Sequence, residues 1–120
     1  MRVLIVEDEV IIALDLVHQL KAIGCDVISI VTSGEEAFRV VKASTPDFVI
    51  MDIKIKGKYD GLMVARELNR LYRIPIIFVS AYSDEGTRKE AKMSNPFVYL
   101  HKPFTMEAVK EAVETILSKN

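Results

Sequence analysis

Residues 3–9 have the sequence VLIVEDE, and this stretch indicates the fold class. Four apolar residues, three of them β-branched, run directly into three acidic ones. A short apolar run without polar alternation is typical of a strand covered on both faces, as in a parallel sheet between helices. Similar runs recur at residues 27–31, 48–51, 76–79 and 97–100. The sequence therefore predicts five buried strands.

Segments in which apolar residues recur with the spacing of a helix alternate with these runs. In the first of them, apolar residues fall at positions 10, 13, 14, 17 and 20, and Gly24 then ends the helix. Ser33 and Glu36 have the spacing of a capping box at the start of the second helix. The predicted helices cover residues 10–23, 33–43, 62–72, 83–93 and 109–117. Alternating βα units predict a parallel sheet with right-handed crossovers.

The predicted helix at residues 83–93 differs from the others in having almost no apolar side chains. Only Ala91 and Met93 are apolar there, and Gly86 lies inside the segment. A helix with so few residues to bury is expected to be weakly anchored. We predict that it is the most mobile element of the fold.

Length and composition restrict the class of protein further. The 120 residues predict one domain over positions 1–120, and 50% hydrophobic content is enough for a core. A net charge of −1 gives no field that would gather nucleic acid, so no direct nucleic-acid binding is expected. The single cysteine, Cys25, excludes an intramolecular disulfide. The apolar runs are too short for a signal peptide or a membrane span, which predicts a cytoplasmic protein that does not contact membranes.

Polar residues collect at the predicted carboxyl ends of the strands, where ligands bind in an open parallel sheet. Glu7 and Asp8 follow the first strand, Asp52 ends the third, Ser80 ends the fourth and Lys102 ends the fifth. Taken singly, Asp8 could cap the first helix and Ser80 could cap a turn. Asp52 is harder to explain structurally, because a carboxylate at a buried edge needs a partner.

As a set, these residues suit phosphoryl chemistry. Clustered carboxylates repel one another unless a cation lies among them, and hard oxygen ligands suit Mg²⁺. A carboxylate left free could act as a nucleophile and form an acyl phosphate. A hydroxyl and an ammonium on neighbouring strands could then donate hydrogen bonds to its oxygens.

The sequence resembles a response-regulator receiver domain, and the resemblance covers the whole chain. It is carried by five fragments: VLIVEDE at 3–9, VIMD at 49–52, DG at 60–61, VSA at 79–81 and KPF at 102–104. The resemblance implies a doubly wound, flavodoxin-like (βα)5 fold with strand order 2-1-3-4-5.

The resemblance also implies a role for each residue of the site. Asp52 matches the aspartate that accepts a phosphoryl group, and Ser80 matches the hydroxyl that closes onto the phosphate. Asp8 matches a direct Mg²⁺ ligand, Glu7 matches a ligand acting through water, and the backbone carbonyl of Lys54 matches the remaining protein ligand.

Three residues at the fifth strand complete the implied site. Lys102 matches the lysine that pairs with the phosphate, and Pro103 suggests a cis peptide bond after it. Tyr99 matches the aromatic residue that changes rotamer as part of the switch.

The implied function is signalling. A sensor histidine kinase or a phosphotransfer protein would supply the phosphoryl group, and the chain would catalyse its own phosphotransfer and dephosphorylation rather than act as a metabolic enzyme. The signal would be read by a downstream effector protein or domain through the 83–93 helix, the fifth strand and the last helix. A phosphorylation-dependent homodimer is a further implied partner state.

The loop after Asp52 departs from the usual pattern of the family. Lys56 stands where proline is common, and the loop to Asp60 is one residue longer. Lys54, Lys56 and Lys58 therefore lie beside the acidic residues. They are either a solvated basic loop or a feature that alters partner recognition or the lifetime of the phosphate.

Two other functions remain to be weighed against the switch. A small Asp-dependent phosphohydrolase would use the same pocket, but it often has a second acid two residues after its nucleophile, where this chain has Lys54. A flavodoxin-like cofactor protein would need a Ser/Thr/Gly-rich phosphate loop after the first strand, and the sequence there is Glu7-Asp8-Glu9.

Overall fold

Alternating strands and helices make up the computed structural model, which describes residues 1–55, 57, 59–80 and 97–118. The strands are β1 (Arg2–Val6), β2 (Asp26–Val31), β3 (Phe48–Asp52), β4 (Ile76–Ser80) and β5 (Phe97–His101). The helices of the described residues are α1 (Val10–Ala22), α2 (Gly34–Ala43), α3 (Gly61–Tyr72) and α4 (Met106–Ser118). The predicted 83–93 helix, Lys56 and Lys58 lie outside the described residues.

The five strands form one parallel sheet with the order β2-β1-β3-β4-β5. Every residue of β3 and β4 is buried, as is every residue of β1 except Arg2. One core cluster joins the sheet to α2 and α3, and a second cluster joins it to α1 and α4. Helices on both faces explain why these strands have continuous apolar sequences. The predicted fold class and strand order are confirmed.

Side-chain caps begin α2 and α3. The Ser33 hydroxyl accepts a hydrogen bond from the Glu36 amide at 3.3 Å, as the capping-box spacing predicts. The Glu36 carboxylate reaches back and accepts from the Thr32 hydroxyl at 2.8 Å. In α3, the Asp60 carboxylate accepts from the Met63 amide at 2.8 Å. These caps satisfy backbone N–H groups that have no partner within the helix.

The buried face of α1 is only partly the one that its apolar spacing indicates. Val10 and Leu14, both in the predicted apolar set, are 68% and 59% exposed. Leu16 and Gln19, which lie outside that set, are buried. Residues 10–14 are all apolar, so their spacing cannot select one face of the helix, and contact with the sheet selects it instead.

No helix within the described ranges is long and apolar enough to cross a membrane.

Candidate functional site

At the carboxyl edge of the sheet, the side chain of Lys102 contacts carboxylates from the end of β3 and from the segment after β1. Asp52 is the last residue of β3 and is 5% exposed. The Lys102 Nζ lies 3.1 Å from Asp52 Oδ2 and 3.3 Å from Glu7 Oε1. It also lies 3.4 Å from Oε1 of the exposed Glu9. One ammonium is therefore surrounded by three carboxylates.

Burial and charge shift the protonation of this cluster. The pKa of Glu7 is raised from 4.5 to about 8, first by burial and then by the neighbouring Asp52 carboxylate, against the opposing effect of Lys102. Burial alone lowers the pKa of Lys102, but Asp52 and Glu7 outweigh it and hold that pKa above its ordinary value. At neutral pH the metal-free cluster therefore keeps a proton on Glu7 and a positive charge on Lys102.

The same residues fit a divalent cation. One carboxylate oxygen each from Glu7, Asp8 and Asp52 can be chosen so that all three lie within 4.8 Å of one another. The Glu7 Oε2 atom is buried and accepts no hydrogen bond from the described residues. Once Glu7 loses its proton, a buried carboxylate oxygen without a donor carries a desolvation cost that a cation would offset. Carboxylate oxygens are hard ligands, so this set fits a hard divalent cation of the Mg²⁺, Ca²⁺ and Mn²⁺ group.

The turn after β3 is held against Asp52. The Lys54 amide donates to Asp52 Oδ1 at 3.0 Å, and the Lys54 side chain is exposed. The Ile53 amide donates to the Val79 carbonyl of β4 at 3.2 Å. These bonds fix the backbone that carries the Lys54 carbonyl, the oxygen that the family resemblance implies as a metal ligand.

The remaining predicted residues lie on β4, on β5 and directly after β5. Ser80 is completely buried, and its hydroxyl has no hydrogen-bond partner among the described residues. The Ser80 carbonyl accepts from the Lys102 amide at 2.9 Å, which joins the ends of β4 and β5. Tyr99 is half-buried, with its ring centroid 5.8 Å from that of Phe78. The Lys102–Pro103 peptide bond is cis.

Two residues of the site carry no role in the sequence-based prediction. Glu9 contacts Lys102, and the signal for it was its place directly after Glu7 and Asp8. Gly61 lies against the backbone of Asp52 and Ile53, and its signal in the sequence was its place in the DG fragment at residues 60–61. The Glu9 contact joins residues 93 positions apart, whereas Gly61 contacts the backbone of the nearby turn after β3.

Comparison with known proteins shows the family. The model for the response regulator receiver domain matches residues 3–114. The chain belongs to this family. The signal receiver domain of a modulated diguanylate cyclase from Desulfovibrio desulfuricans has a similar structure, with a TM-score of 0.90 and 37% identity, covering 98% of this chain and 94% of that one.

Curated relatives include longer regulatory proteins. PdtaR, a transcriptional regulatory protein of Mycobacterium tuberculosis, is 33% identical over 118 residues, which are 98% of this chain and 57% of PdtaR. PhoP of Bacillus subtilis, the alkaline phosphatase synthesis transcriptional regulatory protein, is 29% identical over 120 residues, which are 49% of PhoP. The chain thus spans about half the length of these relatives.

Proposed function

We propose that this chain accepts a phosphoryl group on Asp52 from a histidine kinase or a phosphotransfer protein. Mg²⁺ would be bound directly by Asp8, Asp52 and the Lys54 carbonyl, and through water by Glu7. The observation that carries the proposal is the Lys102 ammonium, 3.1 Å from the Asp52 carboxylate at the edge of the sheet. An ammonium so placed can hold a carboxylate in position and then bind the phosphoryl oxygens that join it. A cytoplasmic location belongs to the same proposal, since a kinase uses ATP there.

The transfer itself is a displacement at phosphorus. An Asp52 oxygen attacks, an O–P bond forms, and the P–N bond to the donor imidazole breaks, so that the imidazole leaves with the electron pair and takes a proton. Bound Mg²⁺ would offset the negative charge of the phosphoryl oxygens. Lys102 and the Ser80 hydroxyl supply donors on the other side of the phosphate. Within the described part of the chain the Ser80 hydroxyl has no partner, which supports this role because a buried hydroxyl normally has one.

The phosphate would then act as a switch. It adds about −1.5 to −2 units of charge next to Asp52. Converting a 1:99 population to 99:1 takes about 5.5 kcal/mol, and charge-assisted hydrogen bonds from Ser80 and Lys102 can supply much of it. Movement of Ser80 would reach Tyr99 through the paired ends of β4 and β5.

We further propose that a protein reads the switch at β5 and α4, together with the predicted 83–93 helix. A groove of about 410 Å³ lies between β5 and α4, and Tyr99 and Phe104 line it. An effector protein or domain, or a second phosphorylated copy, would bind this face, and no nucleic-acid contact is part of the proposal. The phosphohydrolase alternative gains no support, since Lys54 presents its amide to Asp52 and exposes its side chain.

Labelling with a small phosphodonor tests the phosphoacceptor. The protein is incubated with acetyl phosphate and Mg²⁺, and the wild type is expected to carry a phosphate that is stable in acid and labile in base. Asp52→Asn abolishes it, whereas Asp60→Asn, the same change at an exposed helix cap, retains it. Equal labelling of wild type and Asp52→Asn contradicts the proposal, and steady release of phosphate from metabolite esters favours the phosphohydrolase.

A further inference from the structure

Gly61, the first residue of α3, lies against the backbone that carries the proposed phosphoacceptor. A Cβ placed on Gly61 would lie 2.6 Å from the Asp52 carbonyl oxygen and 2.7 Å from the Ile53 carbonyl oxygen. Ordinary van der Waals contact begins at 3.4 Å, so the shorter contact is about 0.8 Å too close. The atoms that would be met are backbone atoms, so no side-chain rotation can relieve the overlap.

Hydrogen bonds tie the same backbone to the site. The Gly61 amide donates to the Ile53 carbonyl at 3.2 Å, so that α3 starts against the turn after β3. One residue further along, the Lys54 amide donates to Asp52 Oδ1 at 3.0 Å. A shift of the Asp52–Ile53 peptide would move both the Asp52 carboxylate and the Lys54 backbone.

We propose that Gly61 is a positioning residue for the Asp52 site. Because Gly61 has no side chain, the Asp52–Ile53 backbone can lie where the Lys54 amide donates to the Asp52 carboxylate. The same backbone position keeps the proposed metal ligands in their relative places. The inference rests on the proposed function for the identity of the metal, but the Lys54–Asp52 hydrogen bond is a property of the metal-free chain. Supporting contacts of this kind typically change metal affinity about 10–100-fold when they are lost.

Gly34 is a matched control. It is also the first residue of a helix, α2, and its Cβ would lie 2.5 Å from a neighbouring atom. That atom is Cγ2 of the Val64 side chain, which is not part of the Asp52 site and can be shortened by mutation. Gly34→Ala thus repeats the substitution and the overlap without pushing on Asp52, and Gly34→Ala with Val64→Ala removes the overlap.

The experiment compares Gly61→Ala with Gly34→Ala at equal fractions of folded protein, measured by urea denaturation. In metal-free buffer, the NMR resonance of the Lys54 amide is expected to shift in Gly61→Ala but not in Gly34→Ala. Hydrogen exchange of that amide is expected to accelerate about tenfold or more in Gly61→Ala only. Titration with MgCl2 is expected to show affinity reduced about 10–100-fold in Gly61→Ala and nearly unchanged in Gly34→Ala.

Different outcomes identify different failures. If the wild type binds Mg²⁺ and both alanine variants behave alike, Gly61 is not a positioning residue. If the wild type does not bind Mg²⁺, the proposed function fails, while the Lys54 amide still tests the positioning. If Gly61→Ala does not fold, hydrogen exchange of the wild type provides the test. The Gly61 and Lys54 amides are then expected to be equally protected from exchange. Exchange of the Gly61 amide about tenfold faster than that of the Lys54 amide overturns the proposal.

Discussion

The raised pKa of Glu7 predicts that the metal-free protein loses stability as the pH rises towards neutrality. In the unfolded chain Glu7 releases its proton near pH 4.5, and in the folded protein it keeps the proton to about pH 8. Between these values the folded state binds more protons than the unfolded state, so raising the pH favours unfolding. Below the lower value both states are protonated and the effect is absent.

The size of the effect follows from the linkage relation. Each pH unit inside this window costs up to about 1.4 kcal/mol of unfolding free energy. Between pH 5 and pH 7.5, Glu7 with a folded pKa of about 8 destabilises the metal-free protein by about 3 kcal/mol. That is a large fraction of the roughly 5–15 kcal/mol that stabilises a small domain.

Urea denaturation in EDTA at a series of pH values measures the effect. Glu7→Gln has nearly the same shape without the ionisable group, so its unfolding free energy is expected to lack this fall with pH and to exceed that of the wild type at pH 7.5. Glu9→Gln is the matched control, because Glu9 contacts the same Lys102 ammonium from an exposed position. The pH dependence of Glu9→Gln is expected to follow the wild type.

Two results would contradict this role of Glu7. One is an equal decrease of stability with pH in Glu7→Gln and wild type, which would mean that another group titrates. The other is loss of the decrease in Glu9→Gln, which would mean that charge at the surface, rather than burial of Glu7, causes it.

Two further predictions concern Lys102 and the cap of α2. Lys102→Met leaves Asp52 buried beside Glu7 without its ammonium and is expected to lower the unfolding free energy of the metal-free protein by about 3–5 kcal/mol. Arg70→Met, which breaks an exposed pair, is expected to change it very little, and equal effects in urea denaturation would contradict this. Ser33→Ala removes a cap and should cost about 1 kcal/mol in thermal unfolding, whereas no loss would show that the Ser33 bond contributes nothing.

The strands β1, β3 and β4 were predictable from the sequence because their burial is nearly uniform. Along β3 every residue is buried, and the sequence there is continuously apolar up to Asp52. The start of α2 was predictable for a different reason, since Ser33 and Glu36 interact within one helical turn. Both signals are local, and no knowledge of distant residues is needed to interpret them.

The face of α1 was less predictable. Its first turns are apolar on all sides, so Val10 and Leu14 were as suitable for burial as Leu16. The position of the helix over the sheet, which other segments determine, leaves the first two exposed. When a helix is apolar on all sides, its sequence does not indicate which face will be buried against the sheet.

The fold class and the chemical groups of the site follow from the sequence, because apolar runs and the polar residues at their ends are patterns of neighbouring residues. How those groups interact depends on the folded chain. The contact of Lys102 with Glu7 joins residues 95 positions apart, and the burial that raises the pKa of Glu7 comes from the folded chain. The contact of Gly61 with the Asp52 backbone likewise exists only once α3 lies against β3, since steric overlap depends on distances that folding creates.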